Sequence, residues 1–242
     1  MNNKSILNVI KERQSTRLRF DPKRIITKDD LNAILKAARW APTPHNMQNF
    51  EIIVIDEDKI IQRIANIEYT ISDEFIKENY EQLSFSEEEL LKKKVGLLGM
   101  MFPPELRNPN LNAEKSSKEK ITSNIGRFLQ SNPILLVIIY DPNKRAPASE
   151  GDFFGKMGLG CVMENMWLMA QSMGIAFHVI TALNADPVEI EVKSILKIPN
   201  QMKIAFSVRL GYPAPNKYKY LRVRREIEDF VHHNQFNNKF IS

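Results

Sequence analysis

The stretch from about residue 152 to 173 most limits what this chain can fold into. Leu159, Val162, Met163, Met166, Trp167 and Met169 place apolar side chains nearly all round a helix, so it has to be covered on most sides. In a chain of 242 residues that leaves a central place in a core or an interface with a second copy. Neighbouring segments supply material to cover it. Ile134 to Tyr140 is an unbroken apolar run of strand length, closed by the turn sequence Asp141-Pro142-Asn143. Leu31, Ile34, Leu35 and Ala38 recur at helical spacing over 28–40, behind a capping-box start at Thr27 and Asp30. Helices over 3–13, 58–66 and 186–196 and strands over 50–55, 175–180 and 202–210 complete the pattern. This predicts an α+β fold with a central, mostly antiparallel sheet flanked by helices. At 43% hydrophobic and 26% charged residues, one domain over 1–242 accounts for the chain.

Two segments stand apart from that pattern. Between Ser72 and Lys120 the chain is rich in Glu, Lys and Asn, with an acidic-then-basic helix from Glu87 to Leu98 and a break at Met100-Met101-Phe102-Pro103-Pro104. This helical excursion, at about 68–125, has two open readings: a patch packed against the domain, or a lid whose adaptable Met and Phe side chains cover a broad range of substrates. The tail at about 222–242 carries its own helical stripe, Ile227, Phe230, Val231 and Phe236, suited to wrapping a second subunit.

Several function classes are excluded. A net charge of +5 suits an anionic ligand. Without a zinc-knuckle spacing, an RNP-type aromatic strand or a long Lys/Arg tract, nucleic acid is not expected. Gly155, Gly158 and Gly160 do not make GxGxxG and follow no strand, so a Rossmann site is not supported. There is no GxSxG elbow. Cys161 is the single cysteine, read as a small core residue. His45 and His178 are isolated and His232-His233 are adjacent, so no metal site is expected. With no leader and no apolar run long enough to cross a bilayer, the reading is a cytosolic protein without membrane contact.

Three segments carry chemistry. In Ala41-Pro42-Thr43-Pro44-His45-Asn46-Met47-Gln48-Asn49-Phe50, two prolines flanking Thr43 stiffen a loop. The Asn46 and Gln48 amides there each offer donor and acceptor, which suits a heterocycle edge. His45 lies in the same loop and has two readings, a contact to that ligand or, the commoner outcome, a solvent-facing turn residue. In Arg13-Gln14-Ser15-Thr16-Arg17-Leu18-Arg19-Phe20, guanidinium forks and hydroxyls suit phosphate. In Arg222-Val223-Arg224-Arg225, alternate arginines of an extended segment would project to one side.

Together these segments resemble the FMN-dependent nitroreductases. Arg13, Ser15, Arg17 and Phe20 match the family's opening Arg-x-Ser-x-Arg/Lys segment and its phenylalanine, with one extra residue between. Ala37-Ala38-Arg39 and the loop through Asn46 and Gln48 follow the next block, with Asn49-Phe50 in place of Pro-Trp. Glu164-Asn165-Met166-Trp167-Leu168-Met169-Ala170 with Gly174-Ile175, and Leu210-Gly211-Tyr212-Pro213-Ala214-Pro215, are similar to the third and closing blocks. The resemblance implies an intertwined homodimer with FMN at the subunit boundary, reduced by NADH or NADPH and reoxidised by nitroaromatic or quinone-like small molecules. It implies phosphate contacts from Arg13, Ser15, Arg17, Arg222 and Arg224, ring-edge contacts from Gln14 and Asn46, and a flanking loop of Pro42, Thr43 and Pro44 from the same or the partner subunit, with Gln48 also among the cofactor-binding residues. Val179-Ile180-Thr181-Ala182 align with the segment beside flavin N5, where many members have Glu-Gly in place of Thr181-Ala182; the backbone N–H is kept and a carboxylate is lost. No side chain needs to act as acid or base, so no catalytic residue is assigned. Reductive dehalogenases, azoline dehydrogenases, flavin-fragmenting enzymes and non-catalytic flavin binders would share these features.

Overall fold

The computed structural model describes residues 5–17, 19–71, 84–99, 121–129, 134–147, 151–215 and 221–239. In chain order the elements are α1 (Ile6–Glu12), α2 (Lys28–Arg39), β1 (Glu51–Ile55), α3 (Asp58–Ala65), β2 (Glu68–Ile71), β3 (Ser84–Phe85), α4 (Glu87–Lys93), β4 (Leu97–Leu98), β5 (Ile121–Asn124), β6 (Ile134–Tyr140), α5 (Phe153–Ser172), β7 (Ala176–Ile180), α6 (Val188–Leu196) and β8 (Lys203–Gly211). They form two compact units. The larger is Met1–Tyr69 with Ser123–Lys217, the smaller Thr70–Thr122 with Tyr218–Ser242.

In the larger unit the apolar run Ile134–Tyr140 is a strand because both of its faces are covered. Leu136 and Ile138 enter one core with α2 and α5, while Leu135, Val137 and Ile139 enter a second with α3 and α6. Each fully buried Leu or Ile there contributes about 2 kcal/mol. The sheet order is β1-β6-β8-β7, antiparallel throughout, so the expected sheet flanked by helices is what forms. α2 begins where the sequence places it: Thr27 Oγ1 accepts from the Asp30 N–H at 3.1 Å. The Asp30 carboxylate instead accepts from the Tyr212 hydroxyl at 3.2 Å, tying the helix start to the exit of β8. α5 is buried along Leu159, Val162, Met166, Trp167 and Ala170, with Cys161 packed at the core's edge. Its first turns expose Phe153, Phe154 and Met157.

The N-terminal segment is fastened to the sheet's far edge. Ser15 bridges Phe177 of β7 in parallel, and Phe20 bridges Pro213 just past β8. Phe20 then lies directly on Gly211. A Cβ added at Gly211 would sit 2.6 Å from Phe20 Cγ and 2.9 Å from its Cβ, so the close approach requires glycine.

In the smaller unit α4 opens with a full capping box between Ser86 and Glu89. The helix expected to reach Leu98 stops at Lys93. Lys94 turns left-handed (φ 58°), Gly96 follows at φ 90°, and Leu97–Leu98 pair with Ser84–Phe85 as short parallel strands. Basic side chains in the last turn and a glycine just beyond are stop signals that outweigh the charge pattern. Lys94 is held by Glu226 at 2.7 Å. The expected helical stripe of the tail is a correction as well. Only a 3-10 turn forms, Ile227–Asp229, and Ile227, Phe230 and Phe236 are exposed. Asn234 and Asn237 adopt left-handed conformations and His232 bridges Lys239, which folds the tail back on itself instead of continuing a helix. Met100 to Pro104 and most of the 72–120 excursion lie outside the described residues.

Gly211→Ala is expected to destabilise the fold by about 3 kcal/mol, because the methyl has to displace the Phe20 ring from a buried position. A chemical denaturation midpoint unchanged from the parent protein would show that Phe20 has room to move.

Candidate functional site

α5 is the common support of the site. At its first turns, Gly158 lets the Pro42–Gln48 loop approach: a Cβ there would sit 3.1 Å from Pro44 Cδ and 3.5 Å from Thr43 Cα. Gly158 therefore serves packing of the loop, which gives a structural use to a glycine that made no dinucleotide motif. The loop is rigid through its own bonds. Thr43 Oγ1 accepts from the Gln48 N–H at 3.1 Å, and Asn46 Oδ1 accepts from Gln48 Nε2 at 3.1 Å. His45, Asn46 and Gln48 have φ of 49°, 54° and 46°. Three left-handed non-glycine residues within four positions are backbone strain concentrated in one loop, a pattern of ligand-facing segments. Asn49 fixes the loop's far end by bonding Asp141 O and Lys144 O at 2.8 and 3.0 Å. Between this loop, Lys144, Ala146 and the start of α5 lies a small open pocket lined by Thr43, Pro44, Met47, Phe50, Gly155 and Leu159. His45 is exposed and is not among the residues that line it.

Gly158 and Trp167 are nine residues apart on α5, a helical rise of about 14 Å. At Trp167 the helix meets the arginine segment. The Trp167 indole N–H donates to Gln14 O at 3.3 Å, its ring stacks on Phe177 at 4.9 Å, and the Arg13 guanidinium lies over it at 4.4 Å. Arg13 Nε is 3.1 Å from Glu164 Oε1. Asn165, next along the same block, donates to Ala37 O at 3.2 Å and closes the end of α2. Thr16 N–H donates to Phe177 O at 3.0 Å, so the backbone of Ser15 and Thr16 continues the sheet past β7. Ser15 is half-buried and Arg17 exposed.

Behind this segment stands a pair that the sequence did not reveal. Arg209, on β8, is 2% exposed and faces His178 in the register of β7. Its Nε donates to His178 Nδ1 at 2.9 Å, and an Nη donates to Arg17 O at 2.8 Å and Thr16 O at 3.4 Å. Its guanidinium lies 4.4 Å over the Phe20 ring. Burial lowers Arg209 to about 10, which leaves it charged at neutral pH. Burial, then the charges of Arg209 and Arg17, lower His178 from 6.5 to about 3, so its imidazole is neutral and accepts the bond. The signal available in the sequence was a lone arginine in the middle of an apolar strand, Ser207-Val208-Arg209-Leu210.

The other expected residues are placed as follows. Ile180 is buried at the end of β7, Thr181 is exposed, and Ala182 opens a 3-10 turn, on the strand that carries Phe177 and His178. Arg222 and Arg224 are exposed residues of the smaller unit in a stretch, 221–226, that is neither strand nor helix, and Arg224 donates to Val223 O at 2.7 Å. Among the described residues no three His, Cys, Asp or Glu side chains come together as a metal would need, and no helix is long and apolar enough to cross a membrane.

An antiparallel sheet covered by α2 and α5 on one face, with an arginine segment along its edge and a strained amide loop at the start of α5, defines a class. The chain belongs to the nitroreductase family, whose sequence pattern it matches over residues 10–212. Solved structures agree on the fold. A nitroreductase from Bacteroides fragilis with bound FMN is 21% identical, with a TM-score of 0.58 over 96% of this chain and 100% of that one. A nitroreductase-like protein from Bacillus cereus is 21% identical, with a TM-score of 0.60 over 96% and 97%. An iodotyrosine deiodinase bound to FMN and 3-iodo-L-tyrosine is also 21% identical, with a TM-score of 0.59 over 96% and 100%. No curated protein sequence matches the chain.

The His178 environment fixes a pH dependence. The unfolded chain protonates this histidine near 6.5 and the folded chain only near 3. Between those values the unfolded state binds the extra proton, so stability is lost as pH falls, by up to about 1.4 kcal/mol per unit. Urea midpoints at about pH 7 and about pH 5 for the parent protein and His178→Asn should converge toward the acid side; a constant gap between the two would mean that His178 takes up protons equally in the folded and unfolded chain, so that folding does not lower its pKa.

Proposed function

We propose that this protein is an FMN-dependent oxidoreductase of the cytosol, using NADH or NADPH to reduce nitroaromatic or quinone-like small molecules, and acting as a homodimer. The observation that carries the reading is the docking of two chemically distinct segments on α5, the Arg13–Arg17 strand at Trp167 and the proline-flanked amide loop at Gly158. That donor set fits FMN. Two guanidiniums and the Ser15 hydroxyl suit a phosphate, and the amides of Gln14, Asn46 and Gln48 suit the edge of a flavin ring. When bound, FMN would carry a hydride equivalent from the nicotinamide to the acceptor.

The chain's own part is to bind, orient and exclude water. Arg13, Ser15 and Arg17 would hold the phosphate; Arg222 and Arg224 are further candidates for a phosphate contact by the family resemblance alone. Arg13 is already aimed by Trp167 and Glu164. Pro42, Thr43 and Pro44 would flank the ring, and Ile180, Thr181 and Ala182 would line the flavin without a carboxylate, leaving backbone N–H groups as the donors there. Lys144, which lines the pocket beside the loop, adds positive charge there. The dimer reading is supported by exposed apolar side chains on the larger unit: Ile6 is 77% exposed, Phe153 63% and Met157 53%. The same grip would serve a dehalogenase, an azoline dehydrogenase or a flavin-fragmenting enzyme, and a panel of acceptors distinguishes these.

The purified protein is expected to absorb at about 370 and 450 nm, to release FMN on denaturation and to oxidise NADH or NADPH when a nitroaromatic is added. A colourless protein that takes up no FMN would overturn the flavin reading, and a flavin-loaded protein that no nicotinamide reduces would leave a non-catalytic binder. Arg13→Ala with Arg224→Ala should give folded but flavin-depleted protein; stoichiometric FMN retained in that double variant would refute the phosphate assignment.

A further inference from the structure

We infer that Arg209, locked in place by His178, is a positioning residue that sets the Ser15–Arg17 backbone for a phosphate and makes the site prefer a phosphorylated flavin over the same ring without phosphate. The inference rests on the proposed flavin site.

Taking a guanidinium out of water is costly unless its donors are used. Arg209 uses three of its contacts on one segment and one partner: Arg17 O, Thr16 O and His178 Nδ1. Those bonds draw the carbonyls of residues 16 and 17 inward while the Thr16 N–H is taken by Phe177 O. Both backbone groups of Thr16 are therefore fixed, and the Ser15 and Arg17 side chains are carried on a backbone with little freedom. The charge counts too: a buried cation directly behind the segment raises the local potential for an anion, and burial limits its screening by salt. His178 is the lock. It can accept from Arg209 only as the neutral imidazole with its proton on Nε2, and its Nδ1 fixes the rotation of the fork about Nε. A role confined to stability would weaken binding of flavin with and without phosphate alike. Positioning of the phosphate segment predicts a loss specific to the phosphate.

The test compares FMN with riboflavin by fluorescence titration of the parent protein, His178→Leu and His178→Asn. Leu removes the acceptor, whereas Asn can place Oδ1 where Nδ1 stood. His178→Leu should weaken FMN about tenfold with riboflavin changed by less than about twofold, and His178→Asn should return FMN to within about threefold of the parent. Equal loss for both flavins, or no loss for either, would overturn the proposal. If His178→Leu does not fold by circular dichroism, Arg209→Lys decides: it keeps the charge and gives up the fork, so the FMN-to-riboflavin preference should fall, and an unchanged preference overturns the inference. A parent protein that binds neither flavin would instead overturn the flavin site itself, and this inference with it.

Discussion

A helix that is apolar on nearly every side has one way to be stable, which is to be surrounded, and most of what meets at the candidate site is what surrounds α5. The sheet covers one flank through Leu136, Ile138 and Val208, and α2 covers another. The rest is covered by chain that would otherwise be loop. Thr43 and Pro44 close over Gly158, and Gln14 and Arg13 close over Trp167. Burying this helix and assembling the site are thus one event. It also explains why Glu164, Asn165 and Trp167, residues of a core helix, bear on the site's polar chemistry: each reaches from the helix to backbone or charge in a covering segment.

Charge in the larger unit is arranged in depth. Arg17 is exposed, Arg13 is partly buried against an aromatic face and a carboxylate, and Arg209 is fully buried and bonded to the Arg17 carbonyl. Desolvation of Arg209 is tolerated because fixed partners, His178 Nδ1 and the carbonyls of Thr16 and Arg17, take up its donors. The neutral His178 is required by this arrangement, since a protonated imidazole would face Arg209 and Arg17 without an intervening anion among the described contacts.

Much of the fold was legible because its signals are local. The strand Ile134–Tyr140 and the helix 28–39 were marked by continuous or periodic apolar residues and a capping threonine, and both form within a residue of the reading. The misread elements are those where a stop signal competed with a pattern, as at Lys94 and Gly96, or where an apolar stripe had nothing to continue it, as beyond Asp229. Of the site, the residue types and the loop's stiffness were legible. Arg209 and His178 were not, because their meaning lies in the pairing of β7 with β8 and in a segment that crosses behind them. An arginine in a strand looks local, and its partners are not.

The bonds that hold the site together span long stretches of chain. Gln14 meets Trp167 across 153 positions, and Arg17 meets Arg209 across 192. Phe20 closes on Pro213. Residues 13–20 therefore find their partners, Trp167, Phe177, Arg209 and Pro213, only far along the chain, and their contacts close late relative to the local ones between. The order of assembly is thus reversed relative to the order of the sequence: Gln14, Arg17 and Phe20 are made well before the helix and strands that fix them.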